Sequence, residues 1–276
     1  MKLRLYHHPD GARIAYREAG TGPPLALLHS AGLSHREWEP LVEELGDRFR
    51  LVMPDLPLHG DSEDRPRHPY SPEWLAEVVA GFVLDTCGPR PLVGGHEIGA
   101  LLLLRAVLSR QLTPGRLVLM SSSLHRPPLR PERAVRAGAY FAAVPGLDRV
   151  ASHAARVAFR PSKGPALSAR GNPAARDLVR HATMDLGGNG NRARAWSKAI
   201  RRWPREQPEL MDAYRLIDVP VLLLWADEDR AHPLAIAEEA RDLLPDAILR
   251  ILPGTGFLMA YDDPVGLARE LAAFCT

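Results

Sequence analysis

The sequence predicts an α/β protein: an open, doubly wound, mostly parallel sheet with helices on both faces, interrupted by a helical insertion. Three observations predict it. Short apolar runs rich in Val, Ile and Leu alternate with helical patterns along most of the chain. Several of these runs are apolar without a break, as expected of strands covered on both sides. One stretch, from about 124 to 215, loses the alternation.

The elements follow in order. "RIAYREA" (13–19), "PLALLHS" (24–30), "RLVMPDL" (50–56), "PLVGGHE" (91–97), "RLVLMSS" (116–122), "VPVLLLWADED" (219–229) and "AILRILPG" (247–254) read as strands. Helical patterns fall at 35–45, 71–87, 98–110, 233–244 and 263–275. In "SPEW", Ser71 is placed as N-cap and Pro72 at the first helical position; "DDPVG" is a similar helix start. The arrhythmic stretch holds short helical patterns separated by "RPPLRP", "RPSKGP", "GNP" and "LGGNGN", and it reads as a helical lid. The division is therefore a core of residues 1–123 and 216–276 and a lid of 124–215. No internal repeat is visible.

Composition narrows the function classes. The chain of 276 residues is 46% hydrophobic and 25% charged, ordinary values for a globular domain. No apolar run is long enough to span a membrane, and "MKLRLYHHPD" has no signal-peptide segment, so a cytoplasmic protein is expected. The net charge of +2 is small and the basic residues are scattered, which argues against nucleic acid as a partner. The basic run "RARAWSKAIRRW" (192–203) has helical apolar spacing and reads as an amphipathic helix with a solvated arginine side. Cys87 and Cys275 are far apart and lack metal spacing. No metal, nucleotide or flavin motif appears, so no cofactor is expected. The expected partner is a small molecule, and nothing indicates a homo-oligomer.

The chemistry centres on "PLVGGHEIGA" (91–100). Gly95-x-Glu97-x-Gly99 follows an apolar strand and opens an apolar helix, the context of a nucleophile elbow. A sharp strand-to-helix turn needs small residues two positions either side of its centre, and Gly95 and Gly99 meet that need. The turn aims the central side chain into the space above the sheet, at a helix N-terminus that favours negative charge.

Over nearly its full length the chain resembles the α/β-hydrolase superfamily. "LLHSAG" (27–32) resembles the oxyanion loop, with Ser30 where glycine is usual. "MPDLPLHGDSEDRP" (53–66) resembles the "D-x-P-G-H-G-x-S" segment, with Leu58 for a glycine. "LLLWADEDRAHP" (222–233) resembles the turn bearing the triad acid, which maps to Asp229. "LPGTGFLMAYDDP" (252–264) resembles the segment bearing the triad histidine, where counting back from Pro264 gives Phe257. The resemblance implies a central sheet of about eight strands and a lid. Among members of this superfamily the chain is similar to epoxide hydrolases and haloalkane dehalogenases, which carry a carboxylate at the elbow. It implies oxyanion donors at the backbone N–H groups of Ala31 and Ile98.

Serine and histidine are thus replaced by Glu97 and Phe257, while Asp229 keeps its place. A serine hydrolase needs the histidine to accept the hydroxyl proton, so ordinary ester or peptide hydrolysis is not expected. Glu97 is read first as a general acid or base in an isomerase-, cyclase- or lyase-type step on a small apolar, even polycyclic, metabolite, with the oxyanion donors stabilising an enolate or alkoxide. A second reading is a carboxylate nucleophile with a relocated histidine base; a third is an inactive ligand-binding member. His125 is the leading candidate for that base. His232 is three residues past Asp229 and could pair with it, but reads as an exposed loop residue. His181, in the lid, faces either pocket or water. His96 reads as structural. The expected pocket wall comprises His29, Ser30, Trp38, Tyr140, Trp196, Phe257 and Leu258.

Overall fold

A computed structural model describes residues 1–65, 67–126, 132–144, 146–158, 161–186, 190–204, 207 and 209–276. Eight strands form one sheet in the order β1-β2-β4-β3-β5-β6-β7-β8. They are β1 (Lys2–His7), β2 (Arg13–Ala19), β3 (Pro24–Leu28), β4 (Arg50–Pro54), β5 (Leu92–His96), β6 (Arg116–Met120), β7 (Val221–Ala226) and β8 (Ala247–Leu252). Strands β1 and β2 pair antiparallel, as do β2 and β4; every other pair is parallel. The central strands are buried on both faces, which their unbroken apolar runs anticipated. Strand β1 was not anticipated: it is an exposed edge strand, and "KLRLYH" carries no buried pattern.

Helices cover both faces. On one side, α2 (Pro72–Cys87) and α3 (Ile98–Leu108) bury Leu75, Val79, Phe82, Leu103 and Leu104 against the sheet. Ser71 accepts from Trp74 N–H as the cap of α2. On the other side, α1 (Leu41–Leu45) packs with the C-terminal α11 (Pro264–Cys275) over Leu25, Leu51 and Leu224. The pattern at 35–45 is not one helix: a 3₁₀ turn, His35–Trp38, precedes α1, and Pro40 stands between them. Proline cannot donate the N–H that a continuous helix would need there.

The insertion between β6 and β7 is helical. It contains α4 (Glu132–Ala142), α5 (Leu147–Ala158), a 3₁₀ turn at Pro161–Leu167, α6 (Ala174–Leu186), α7 (Gly190–Arg202) and α8 (Glu209–Ala213), with no strand among the described residues. The expected linkers at 126–131 and 186–191 lie mostly outside the described residues. No described helix is long and apolar enough to cross a membrane. The last helices are α9 (Leu234–Leu243) and α10 (Met259–Asp262).

Asp262 joins insertion and core. Its carboxylate accepts from Ser168 Oγ, from Ala169 N–H at 2.9 Å and from Gly256 N–H at 2.8 Å. Leu258 N–H adds a bond to the Leu167 carbonyl at 3.0 Å. The loop that carries Phe257 is thereby fixed to the insertion.

Helix α3 ends with Arg110 at φ 58°. Arg110 N–H reaches the Val107 carbonyl and Gln111 N–H the Ala106 carbonyl, both at 2.9 Å. This is a Schellman termination, whose left-handed residue is usually glycine. Arg110 is exposed. Arg110→Gly is therefore expected to stabilise the fold by about 1 kcal/mol, because only the arginine Cβ is strained. Urea denaturation checks it; a lower midpoint would show that the arginine side chain contributes more than its strain costs.

Candidate active site

Strand β5 delivers Glu97 to the C-terminal edge of the sheet, and α3 leaves directly after it. Glu97 has φ 49° and ψ −107°, a region that costs a non-glycine residue roughly 1–3 kcal/mol. Two glycines make the turn fit. A Cβ on Gly95 would lie 2.4 Å from the Gly99 carbonyl carbon, and one on Gly99 2.5 Å from the Leu28 carbonyl oxygen. Strand β6 holds the turn from the side: Ser122 Oγ donates to the Glu97 carbonyl at 2.9 Å.

The Glu97 carboxylate folds back onto the loop after β3. Ala31 N–H donates to Oε2 at 2.8 Å. The expected oxyanion donor is thus occupied by the elbow's own side chain. Oε1 has no hydrogen-bond partner among the described residues. Ile98 opens α3 and is half-buried.

Asp229 lies in the loop after β7 and is buried. It accepts from Ala231 N–H and from His232 Nδ1–H, both at 2.8 Å. Burial opposes its ionisation, but the His232 hydrogen bond and charge, with the Ala231 N–H, hold its carboxyl below the usual range. The sequence placed His232 on an exposed loop; it is buried, and its ring stacks on Phe257 with centroids 6.0 Å apart. Phe257 also packs against His96 at 4.7 Å. The Phe257 ring therefore sits between two histidines.

His125, the leading candidate for a relocated base, serves elsewhere. Its Nε2 meets Glu239 at 2.9 Å and its Nδ1 meets the Tyr214 hydroxyl at 3.2 Å. With both nitrogens engaged, it is corrected to a structural link between β6 and α9. His181 Nδ1 bonds the Asp177 carbonyl within α6.

The expected pocket wall is corrected in part. His29, Ser30 and Trp38 are fully buried beneath the site. His29 donates from Nδ1 to the Ser30 carbonyl at 2.8 Å and accepts Leu56 N–H at Nε2, 2.9 Å. Burial keeps its ring neutral, with a lowered pKa, and this sharing of nitrogens fits the neutral form. Ser30 Oγ donates to Glu37 at 2.9 Å. Trp38 belongs to the core under α1. Leu258 is fully buried at the joint with α6. Tyr140 is 61% exposed on the outside of the helical insertion, under the Arg201 guanidinium. It borders an open cleft of about 520 Å³ lined by Arg194, Lys198, Arg201 and Arg202, which includes no elbow residue. Trp196 and Phe257 are half-buried. Trp196 meets His59 edge-on at 4.7 Å, and His59 accepts Gly32 N–H at 3.0 Å, so the insertion reaches the loop that holds Ala31 through His59.

Two further acids complete the site's support: Glu37, which the sequence did not single out, and Asp55, the first residue of the "D-x-P-G-H-G-x-S"-like segment. Glu37, in the first 3₁₀ turn, accepts from Ser30 N–H at 2.7 Å and from His96 Nδ1. Asp55, after β4, accepts from His35 N–H at 2.8 Å, His35 Nδ1 at 2.7 Å and Asp61 N–H at 3.0 Å. Burial opposes its charge, yet the His35 bonds and charge bring its pKa down to about 2. A carboxyl depressed in the fold contributes stability above its unfolded value, near 4, and loses it as pH falls towards 2. Asp55→Asn is expected to remove about 2 kcal/mol of this pH-dependent stability between pH 4 and 2. Denaturant midpoints across that window check it; parallel acid profiles in the two proteins would refute it.

Residues 25–270 match the model of the alpha/beta hydrolase family. The chain belongs to that family, whose members are enzymes. Among its relatives is an uncharacterized protein of Mycobacterium tuberculosis, 25% identical across 96% of this chain and 77% of the relative. A pimeloyl-[acyl-carrier protein] methyl ester esterase of Vibrio campbellii is 25% identical across 95% of each chain. The fold is similar to that of a thermophilic esterase from Thermogutta terrifontis, with a TM-score of 0.77 and 20% identity over 100% of this chain and 98% of that one.

Proposed function

We propose that this member is an enzyme whose working group is the Glu97 carboxylate, acting as a general acid or base on a small, largely apolar molecule. The hydrogen bond from Ala31 N–H to Oε2 carries this reading. It fixes one oxygen and leaves Oε1 as the atom that takes or gives a proton. The ester hydrolysis named for the Vibrio campbellii relative needs a hydroxyl nucleophile and an imidazole. Glu97 and Phe257 stand at those places here. The anchored Oε2 also fills the seat where a substrate oxyanion would rest. The proton transfers that fit best are those needing no charge there, such as eliminations and ring closures. This revises the expectation of an enolate held by Ala31 and Ile98. Asp229 with His232 is a second proton-carrying couple at the same edge of the sheet.

The same bond supports one other reading. If Oε1 attacked carbon, expelling a halide or opening an epoxide, the ester carbonyl would be Oε2, already seated on a donor. The Asp229–His232 couple would then be the base that activates water.

Two measurements separate the readings. Small hydroxy compounds are incubated with protein, and their dehydrated or ring-closed products are read by liquid chromatography with mass spectrometry. The acid–base reading expects product with wild type and none with Glu97→Gln; product that persists in the variant would refute it. Intact-protein mass after incubation with epoxides and alkyl halides tests the other: an adduct lost in Glu97→Gln supports a nucleophile, and an unmodified protein without diol or alcohol product excludes it.

A further inference from the structure

The arginine side of α7 serves neither reading of Glu97. By the helix period, Arg194, Lys198, Arg201 and Arg202 fall on the face opposite Trp196. These four cations line the open cleft of about 520 Å³ together with Tyr140 and Ala143. Arg194 pairs with Asp148 of α5, and Arg201 lies over the Tyr140 ring at 5.7 Å. Arg201 donates to the Ser197 carbonyl at 3.3 Å, and Arg202 to the Pro69 carbonyl at 3.0 Å. A carbonyl positions a guanidinium but leaves its charge intact, and both arginines are exposed. Burial, and then the Arg202 and Arg201 charges, lower the Lys198 pKa, so the cations are close enough to repel one another. Beside the cleft, apolar side chains face water. Tyr140, Phe141, Val144, Leu147, Val150 and Val157 are each between 40% and 65% exposed, on α4, α5 and the turn between them. Leu147, Val150 and Val157 share one face of α5, whereas Asp148 is buried. Helix α5 thus turns apolar residues outward and an acid inward, the reverse of a helix that serves only a core.

We propose that this face of the insertion docks on an anionic lipid bilayer, with the apolar side chains of α4 and α5 entering the interface and the α7 cations meeting the lipid phosphates. Exposed apolar residues flanked by arginine and lysine are the composition of helices that lie in a membrane surface, and an exposed tyrosine suits the headgroup level. Charge decides against the other occupants. A second copy docking by the same face would bring a like-charged cluster against this one. Shape points the same way. Five of the six apolar side chains lie outside the cleft, on open surface. A fluid bilayer accepts each of them singly, whereas a rigid protein would need a matching socket. Peripheral contact of this kind needs no spanning helix. The opposite face of α7 holds Trp196 against His59, so one helix stands between the bilayer and the approach to the Ala31 loop.

The inference does not depend on the role of Glu97, and its test reads binding without turnover. The full chain is sedimented with vesicles of phosphatidylglycerol and, separately, of phosphatidylcholine. Partitioning is expected to be at least about tenfold stronger on phosphatidylglycerol, and to weaken as salt rises. Arg201→Gln with Arg202→Gln is expected to lower partitioning onto phosphatidylglycerol by about tenfold or more. Phe141→Ser with Val150→Ser is expected to lower it by about tenfold as well. All four positions are exposed, so both variants are expected to fold, which circular dichroism checks. Protein left in the supernatant with both vesicles would overturn the proposal and turn the face towards an acidic soluble partner. Equal partitioning on the two lipids would overturn it by removing the charge recognition. An apolar variant that binds as wild type does would overturn it by removing the insertion of α4 and α5.

Discussion

Replacing Glu97 with glutamine is expected to cut turnover by about 10²–10⁴-fold while ligand binding persists. Glutamine matches the shape of glutamate, and its amide oxygen still accepts Ala31 N–H at the 2.8 Å contact. The elbow and its strained φ of 49° therefore need not change. Only the capacity of Oε1 to hold a proton is lost. In activation terms the loss is about 3–5 kcal/mol. Rates are compared on any compound that wild type transforms, with ligand affinity measured in parallel. Turnover within twofold of wild type would remove Glu97 from the chemistry.

The second large effect is a gain. Glu97→Ser with Phe257→His and His232→Ala is expected to hydrolyse p-nitrophenyl acetate at least about 100-fold faster than Glu97→Ser alone. Each change has a stated task. Serine supplies the hydroxyl and vacates the Ala31 N–H, which then takes the oxyanion. The imidazole at 257 replaces a ring already lodged between His96 and His232. Removing His232 frees Asp229 Oδ2, now held at 2.8 Å, to orient the new base. Equal rates in two folded variants would show that the oxyanion loop no longer suits ester hydrolysis.

The fold was legible where burial is two-sided. Runs such as "LLLWA" in β7 leave few alternatives to a covered parallel strand. Strand β1 was not, because an edge strand exposed along nearly its whole length writes no period into "KLRLYH". The elbow was readable from Gly95 and Gly99, since close backbone approach excludes any Cβ there. Its supports were not. Glu37 sits in "HREWEPLVEEL", where an acid looks like the wet face of a helix; only the 3₁₀ turn and Pro40 rotate it inward to His96. His125 was expected near the cavity mouth because it follows β6. Its partners Tyr214 and Glu239 are 89 and 114 residues further along, a distance over which sequence carries no pairing signal. His232 fills space beside a phenyl ring, and such a packing choice depends on both loops at once.

The most direct test follows the Ala31 amide by NMR during a pH titration. In wild type its proton is expected to shift with the ionisation of one carboxylate, and that transition is expected to vanish in Glu97→Gln. An Ala31 amide that titrates alike in both proteins, or not at all, would mean that the acidic side chain does not occupy the donor seat, and the account would fail.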